Sequence, residues 1–527
     1  MIVSTSFVGL TLCVLYGALR TSEAAKILSI FAFPGPSQYI FGSALLKELA
    51  ARGHEVTSIS SFPQQQPVKN FRDIAIMENL AVTKDLLSNM DELHNSNVYQ
   101  ELSMLSDLGA LISENVLKNP SVQQLMQSKT DRFDLVITEA FYNDALYGLA
   151  QHFDAPIIGI FTLGSISWVD SLVGNTSPIS YVPHFVLPYT SHMTFGQRFT
   201  NLAVNVFERL HYNYYHLPKQ RAVYAQHFPA AKVSLDVLMK SFSLVLLNQH
   251  FSLGLPRPYV PNMIEVGGLH VKQVPDPLPA DLQQLLDNAT ETGAIYFSLG
   301  SNIQAKDLPL EELKVLLNSL GALKQKVLWK FEDTSDRVQI PANVYISKWF
   351  PQPSVLAHPN IKLFITHGGL LSTTESVFHA KPILGIPMFG DQPMNMVTAV
   401  RQGYALSMDY NNLNETEFRE KCVELLNNPR YTQVVRTLSK RLRDQPQTPL
   451  ETAVYWTEYV LRHDGAPHMR VAAQDLNFFQ LHSLDTLVVF LGGVLLIVGI
   501  LLWLLRKLVY RIFAKGKQDM KLKLKKQ

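Results

Sequence analysis

Residues Phe364 to Glu375 read FITHGGLLSTTE, an apolar run that stops at His-Gly-Gly and then turns polar with helical spacing. A short apolar run closed by glycine is the pattern of a strand buried on both faces, so the stretch predicts a parallel strand feeding a helix over about Ser372 to His379. Ligands of such sheets bind beyond the carboxyl ends of the strands. Two adjacent glycines remove side-chain bulk where a ligand meets the backbone, and a helix start offers free N–H groups and about half a positive charge. Gly368 and Gly369 therefore suit a pyrophosphate, with His367 as a further donor. An ordinary strand-to-helix turn uses the same residue types.

The same texture extends outward in both directions. Strands are expected at 294–300, 327–331, 344–350 and 382–387 in this half, and at 26–33, 55–60, 133–138, 155–161 and 243–248 in the other. Between the first two of the N-terminal strands, Leu45, Leu46 and Leu49 share one face of a helical pattern. Proline-rich segments at 255–261 and 274–279 mark a junction. The chain of 527 residues exceeds one hydrophobic core. The expected architecture is α/β: two Rossmann-like domains, 26–271 and 281–447, facing a cleft and joined by a linker at 272–280. Three loops of the second domain end in ligand-competent residues: Ser301 after Gly300, Trp349 with Gln352 close behind, and His367.

The two ends of the chain bear on location. Residues 1–25 carry an apolar core from Phe7 to Leu19 and then small residues, as a secretory leader does; a first buried strand or helix is the other reading. Leu487 to Leu505 is uncharged and long enough to cross a hydrocarbon layer of about 30 Å, placing a transmembrane helix at 486–505 after a return helix and juxtamembrane segment at 448–485. The tail 506–527 holds nine Lys/Arg against Asp519 alone, a net +8; the whole chain is +2, so everything before the tail carries −6. Positive charge stays cytosolic, so the bulk of the chain is expected in the lumen. Lys523 and Lys525 have the spacing of a dilysine-type retrieval signal, which points to the endoplasmic-reticulum membrane. Sequons at Asn175, Asn288 and Asn414 are candidate glycosylation sites.

Some chemistries are disfavoured. Cys13 lies in the leader and Cys422 is alone beyond it, so no internal disulfide is expected, and no histidine pair has metal-site spacing. No metal, no cofactor and no nucleic-acid partner is expected.

The segment Phe364 to Asn395 resembles the signature of the UDP-glycosyltransferase family, which includes the UDP-glucuronosyltransferases. Its fixed points stand at Phe364, Thr366, His367, Gly368, Gly369, Glu375, Pro382, Pro387, Asp391 and Gln392. The motifs FSLGSN, VLWKF and WFPQ precede it in the family's order, and the leader, single C-terminal span and lysine-rich tail are similar to animal membrane-bound members, invertebrate ones above all. The resemblance implies the GT-B fold, with acceptor on the first domain and a UDP-sugar on the second. It implies that Trp349 stacks on uracil, that Gln352 and Glu375 hold the ribose, and that Ser301, His367 and the backbone at Gly369 hold the diphosphate. Asp391, Gln392 and Asn395 would meet the sugar. Trp349 as a core residue and Asp391 as a helix cap are the plainer alternatives.

The sequence departs from the family on the acceptor side. Where the family places a catalytic histidine after serine, this chain reads Ser37-Gln38, and an amide cannot act as a base. The partner acid matches Glu139, with Asp144 as a second candidate; His54, at the head of the next strand, reads as structural. Two functions remain open. One is a transferase moving glucose or glucuronate with inversion to a small lipophilic acceptor, alone or as a homo- or hetero-oligomer. The other is a UDP-sugar-binding relative without turnover, serving as partner subunit or carrier.

Overall fold

The computed structural model describes residues 24–87, 96–301, 308–332 and 338–524. Most of the expected leader and Lys525 lie outside them. The chain divides into two units, Met1–Arg470 and Val471–Gln527.

The first unit contains two all-parallel sheets. In the N-terminal lobe the strands are β1 (Lys26–Phe31), β2 (Glu55–Ser60), β3 (Phe71–Ala75), β4 (Leu135–Glu139), β5 (Ile157–Phe161), β6 (Phe242–Leu247) and β7 (Met263–Glu265), in the spatial order 3-2-1-4-5-6-7. In the C-terminal lobe they are β8 (Ala294–Ser298), β9 (Lys326–Lys330), β10 (Val344–Ser347), β11 (Ile361–Thr366), β12 (Ile383–Gly385) and β13 (Ala405–Ser407), in the order 10-9-8-11-12-13. The expected strands are all present. The sequence missed β3, β7 and β13: β3 is an edge strand with only Ile74 buried, and the other two are three-residue edges too short to show a period.

The central strands are buried along their whole length because helices cover both faces. Deleting one of their Ile or Leu side chains costs about 2–5 kcal/mol, so the strand ends are firmly held positions for functional groups. The helix Pro36–Ala51 buries Leu45, Leu46 and Leu49 against β1, as its spacing predicts. The helix Pro449–Arg462, opened by a Thr448/Glu451 capping box, returns to the same core through Ala453, Val454 and Val460. His54 is buried with Nδ1 accepting from the Ala25 backbone N–H at 3.1 Å, a structural role.

Strand order reverses once in each sheet, between β1 and β4 and between β8 and β11. Loops diverge there and leave a crevice beyond the carboxyl ends. Gln38 and Glu139 follow β1 and end β4; Ser301 and His367 follow β8 and β11. The topology thus puts the acceptor-side and donor-side candidates at the two crevices.

The second unit holds the helix Leu484–Leu524, which contains a stretch long and apolar enough to cross a membrane. Helix continues through the described part of the basic segment expected as a tail.

Candidate functional site

The donor-side crevice is built on glycine. Gly300 (φ +88°) and Gly368 (φ +83°) hold left-handed conformations, and Gly369 caps the helix Leu370–Phe378 without a side-chain bond to its first N–H groups. The His367 ring fills the space both neighbours leave: a Cβ at Gly300 or Gly369 would stand 2.5 Å from it. Its Nδ1 lies 3.2 Å from Thr366 Oγ1. Burial, helped by Lys330, pushes the imidazole down to about 4, so at neutral pH His367 offers a phosphate a neutral N–H. Ser301 sits beside Gly300 at the end of β8.

Lys330, which sequence reading passed over, ends β9 with Nζ 2.8 Å from Gly300 O, 2.6 Å from Glu332 Oε1 and 5.7 Å from the Trp349 ring centre. A lysine closing a buried apolar run was the available signal. Trp349 is 57% exposed, which removes the core-residue alternative and leaves a flat face for a base. Glu375 is buried, with Oε2 accepting from Gln352 Nε2 at 2.8 Å and Oε1 facing His270 Nε2 at 3.1 Å. Gln352 also donates to Ser372 Oγ. The carboxylate keeps lone pairs for two hydroxyls of a sugar.

Beyond the Gly-Gly turn, Asn395 donates to Asp391 Oδ2 at 2.6 Å and to Gly368 O at 3.0 Å, tying the two loops together. Gln392 Oε1 accepts from the Met388 and Phe389 N–H groups and shapes the same loop. Asp391 occupies the cap position of the helix Gln392–Gln402 but makes no side-chain cap bond. Burial pushes its carboxyl up to about 6 despite Asn395. Glu101, on the helix Val98–Lys118, reaches the same place from the other lobe: a Cβ on Gly390 would lie 3.9 Å from Oε1. Burial pushes Glu101 up to about 7, with His184 opposing and Asp391 adding to the push. Nothing local in the sequence marks it. A cavity of about 80 Å³ lies at this junction, lined by Pro183, Phe185, Leu253, Met394, Asp391 and Asn395.

On the acceptor side the two candidate acids differ. Asp144 is buried and occupied, accepting from Tyr212 Oη at 2.7 Å and paired with His216 Nε2 at 2.6 Å. Glu139 is fully buried at the end of β4, and neither carboxylate oxygen has a partner among the described residues. Burial pushes it up to about 8; the nearby Phe33 backbone N–H offsets part of that without making a full hydrogen bond. Gln38, in the first turn of Pro36–Ala51, folds over Gly35 with its Oε1 buried and unpartnered among the described residues.

The sequons separate in the same way. Asn175 is buried, donating to Asp170 Oδ1 at 2.8 Å and accepting from Val260 N at 3.2 Å, so a glycan on its Nδ2 would have to open the packing around it. Asn288 and Asn414 are exposed. Among the described residues no group of three His, Cys, Asp or Glu is placed to hold a metal ion.

Comparison with known proteins gives one direction. A family model described as UDP-glucoronosyl and UDP-glucosyl transferase matches residues 35–519. UDP-glucosyltransferase 2 of Dactylopius coccus is 35% identical, over 96% of this chain and 97% of its own length. Human UDP-glucuronosyltransferase 2B7 is 30% identical, over 90% of this chain and 92% of its own. Among solved structures, CalG4, the calicheamicin glycosyltransferase, superposes with a TM-score of 0.56 at 16% identity over 84% of this chain and 99% of that one. A UDP-glucose: anthocyanidin 3-O-glucosyltransferase in complex with UDP gives 0.55 at 16% identity, over 83% and 98%. The two facing lobes are the GT-B fold.

Proposed function

The chain belongs to the family of UDP-glucuronosyl and UDP-glucosyl transferases, and from that premise we propose a membrane-anchored enzyme that moves glucose or glucuronate from a UDP-sugar to a small lipophilic acceptor with inversion. One observation carries the catalytic reading: a buried carboxyl without a full hydrogen bond among the described residues, Glu139, ends the strand at the acceptor-side crevice.

In this reading Trp349 stacks on uracil, while Glu375 and Gln352 fix the ribose. The diphosphate lies on Ser301, the His367 N–H and the free amides after Gly369, whose dipole favours the negative charge of the leaving UDP. Asp391 and Gln392 hold the sugar. Ionised Glu139 takes the proton of an acceptor hydroxyl as its oxygen attacks the anomeric carbon and the bond to the phosphate oxygen breaks on the opposite side. A neutral amine attacks without that help and loses its proton afterwards. The ectodomain would be lumenal in the endoplasmic reticulum, glycosylated at Asn288 and Asn414.

A second reading, a UDP-sugar-binding subunit without turnover, draws on Gln38. Microsomes bearing the protein, given labelled UDP-glucose or UDP-glucuronate with phenols, alcohols and amines, separate the two: product from either donor supports the transferase, and UDP binding without product supports the subunit.

The donor half has its own test. His367→Ala and Glu375→Ala should each weaken UDP binding by about 10- to 150-fold, the loss of a charge-assisted hydrogen bond worth about 1.5–3 kcal/mol. Trp349→Ala should weaken it through lost stacking. Calorimetry returning the parent affinity in all three variants would remove the donor assignment.

A further inference from the structure

The chain crosses from one lobe to the other at a histidine. Leu269 is buried in the N-terminal core with Phe41 and Leu45, and Val271 is buried in the C-terminal core with Val377 and Phe378. His270 stands between them. The turn that carries it is closed by Leu269 N to Val266 O at 3.1 Å and Val271 N to Gly268 O at 2.9 Å. It lies against the helix Leu370–Phe378, where a Cβ on Gly268 (φ +86°) would stand 3.3 Å from Thr374 Cγ2. The junction therefore packs on the residue next to Glu375.

The side chains of His270 and Glu375 are 2% and 6% exposed. His270 Nε2 lies 3.1 Å from Glu375 Oε1, the ring's one hydrogen bond among the described residues; Nδ1 is buried without a partner there, and the Phe41 ring packs at 6.0 Å. Burying an imidazole costs free energy unless it is hydrogen-bonded, and here that bond goes to a single carboxylate oxygen. A carboxylate only accepts, so the ring gives it Nε2–H. The last torsion of a glutamate sits in a broad well, which leaves the plane of its oxygens loosely set. Gln352 Nε2, 2.8 Å from Oε2, holds one oxygen; His270 holds the other. With both held, the remaining lone pairs keep fixed directions.

We propose that His270 is a positioning residue for the donor: it sets the plane of the Glu375 carboxylate, so that affinity for the ribose depends on the junction between the lobes. This rests on the reading in which Glu375 holds the ribose, and His270 acts through that carboxylate rather than on the nucleotide. The same imidazole packs on Phe41 of the helix Pro36–Ala51, whose first turn carries Gln38, so it adjoins the acceptor-side helix as well as the donor-side acid.

Calorimetry on the full chain in nanodiscs, with UDP and with 2′,3′-dideoxy-UDP, tests it. The ratio of the two dissociation constants measures how well the site reads the ribose hydroxyls. The dideoxy affinity alone reports the uracil and diphosphate contacts, and with them the integrity of the fold. His270→Ala should weaken UDP binding by about tenfold, the low end for a hydrogen bond to a charged group, and leave 2′,3′-dideoxy-UDP within about threefold of the parent. His270→Leu, which fills the space and offers no N–H, should behave as the alanine variant does. His270→Gln returns an N–H at nearly the same reach and should recover most of the lost ratio. Glu375→Ala should remove most of it. Parental ratios in His270→Ala and His270→Leu, with Glu375→Ala lowering it, would overturn the proposal and leave the ribose reading standing. Equal weakening toward both nucleotides, unrelieved by glutamine, would also overturn it and make His270 a packing residue. A parental ratio in Glu375→Ala would overturn the ribose reading itself, and this proposal with it.

Discussion

Glu139→Gln should lower transfer to alcohols and weakly acidic phenols by 10²- to 10⁴-fold, leave UDP affinity unchanged and make the protein more stable above about pH 5. The first effect is loss of the base. The last follows from burial, which holds the carboxyl at about 8 against an ordinary 4.5. Between those values the folded state keeps a proton that the unfolded state has released, so the stabilising contribution is whole below 4.5 and is lost as pH rises through about 8. The interval of 3.5 pH units (8 − 4.5), at about 1.4 kcal/mol each, corresponds to roughly 5 kcal/mol as an order of magnitude. Glutamine has the same shape and cannot ionise, so melting curves across pH should lose this slope in the variant. The parent's hydroxyl-transfer rate should rise about tenfold per pH unit and level off above about 8, because the base works only when ionised. Added stability with undiminished transfer would make Glu139 a structural carboxyl.

This pairing of instability with a functional role explains what the sequence allowed to be read. The strands showed because their residues are buried on both faces, and the donor crevice showed because a left-handed glycine and a helix start leave local marks at 368–369. Choosing between Glu139 and Asp144 needed partners from distant elements: Tyr212 and His216 occupy Asp144 from 68 and 72 residues away, and nothing occupies Glu139 among the described residues. Glu101 meets the Gly390 turn across the cleft.

Gln38→His should raise transfer to hydroxyl acceptors at pH 7 by about 10²-fold, the low end of general-base effects because Glu139 already supplies part of the service. The Gln38 oxygen has no hydrogen-bond partner among the described residues, so the substitution breaks no side-chain bond to that oxygen. Parallel pairing of β1 with β4 sets the helix start carrying position 38, which follows β1, beside the strand end carrying Glu139. An imidazole there meets a carboxyl that burial keeps protonated; forming the ion pair draws that carboxyl down from about 8 and raises the histidine above its ordinary 6.5. The histidine becomes the base and Glu139 its orienting partner, so the rise of rate with pH should move down from about 8 toward the histidine range. Amine acceptors, which need no base to attack, should gain little. A rate and a pH profile unchanged for hydroxyl acceptors would mean that Glu139 alone already serves them fully. Turnover absent from both forms, with UDP still bound, would instead leave the binding-subunit reading standing.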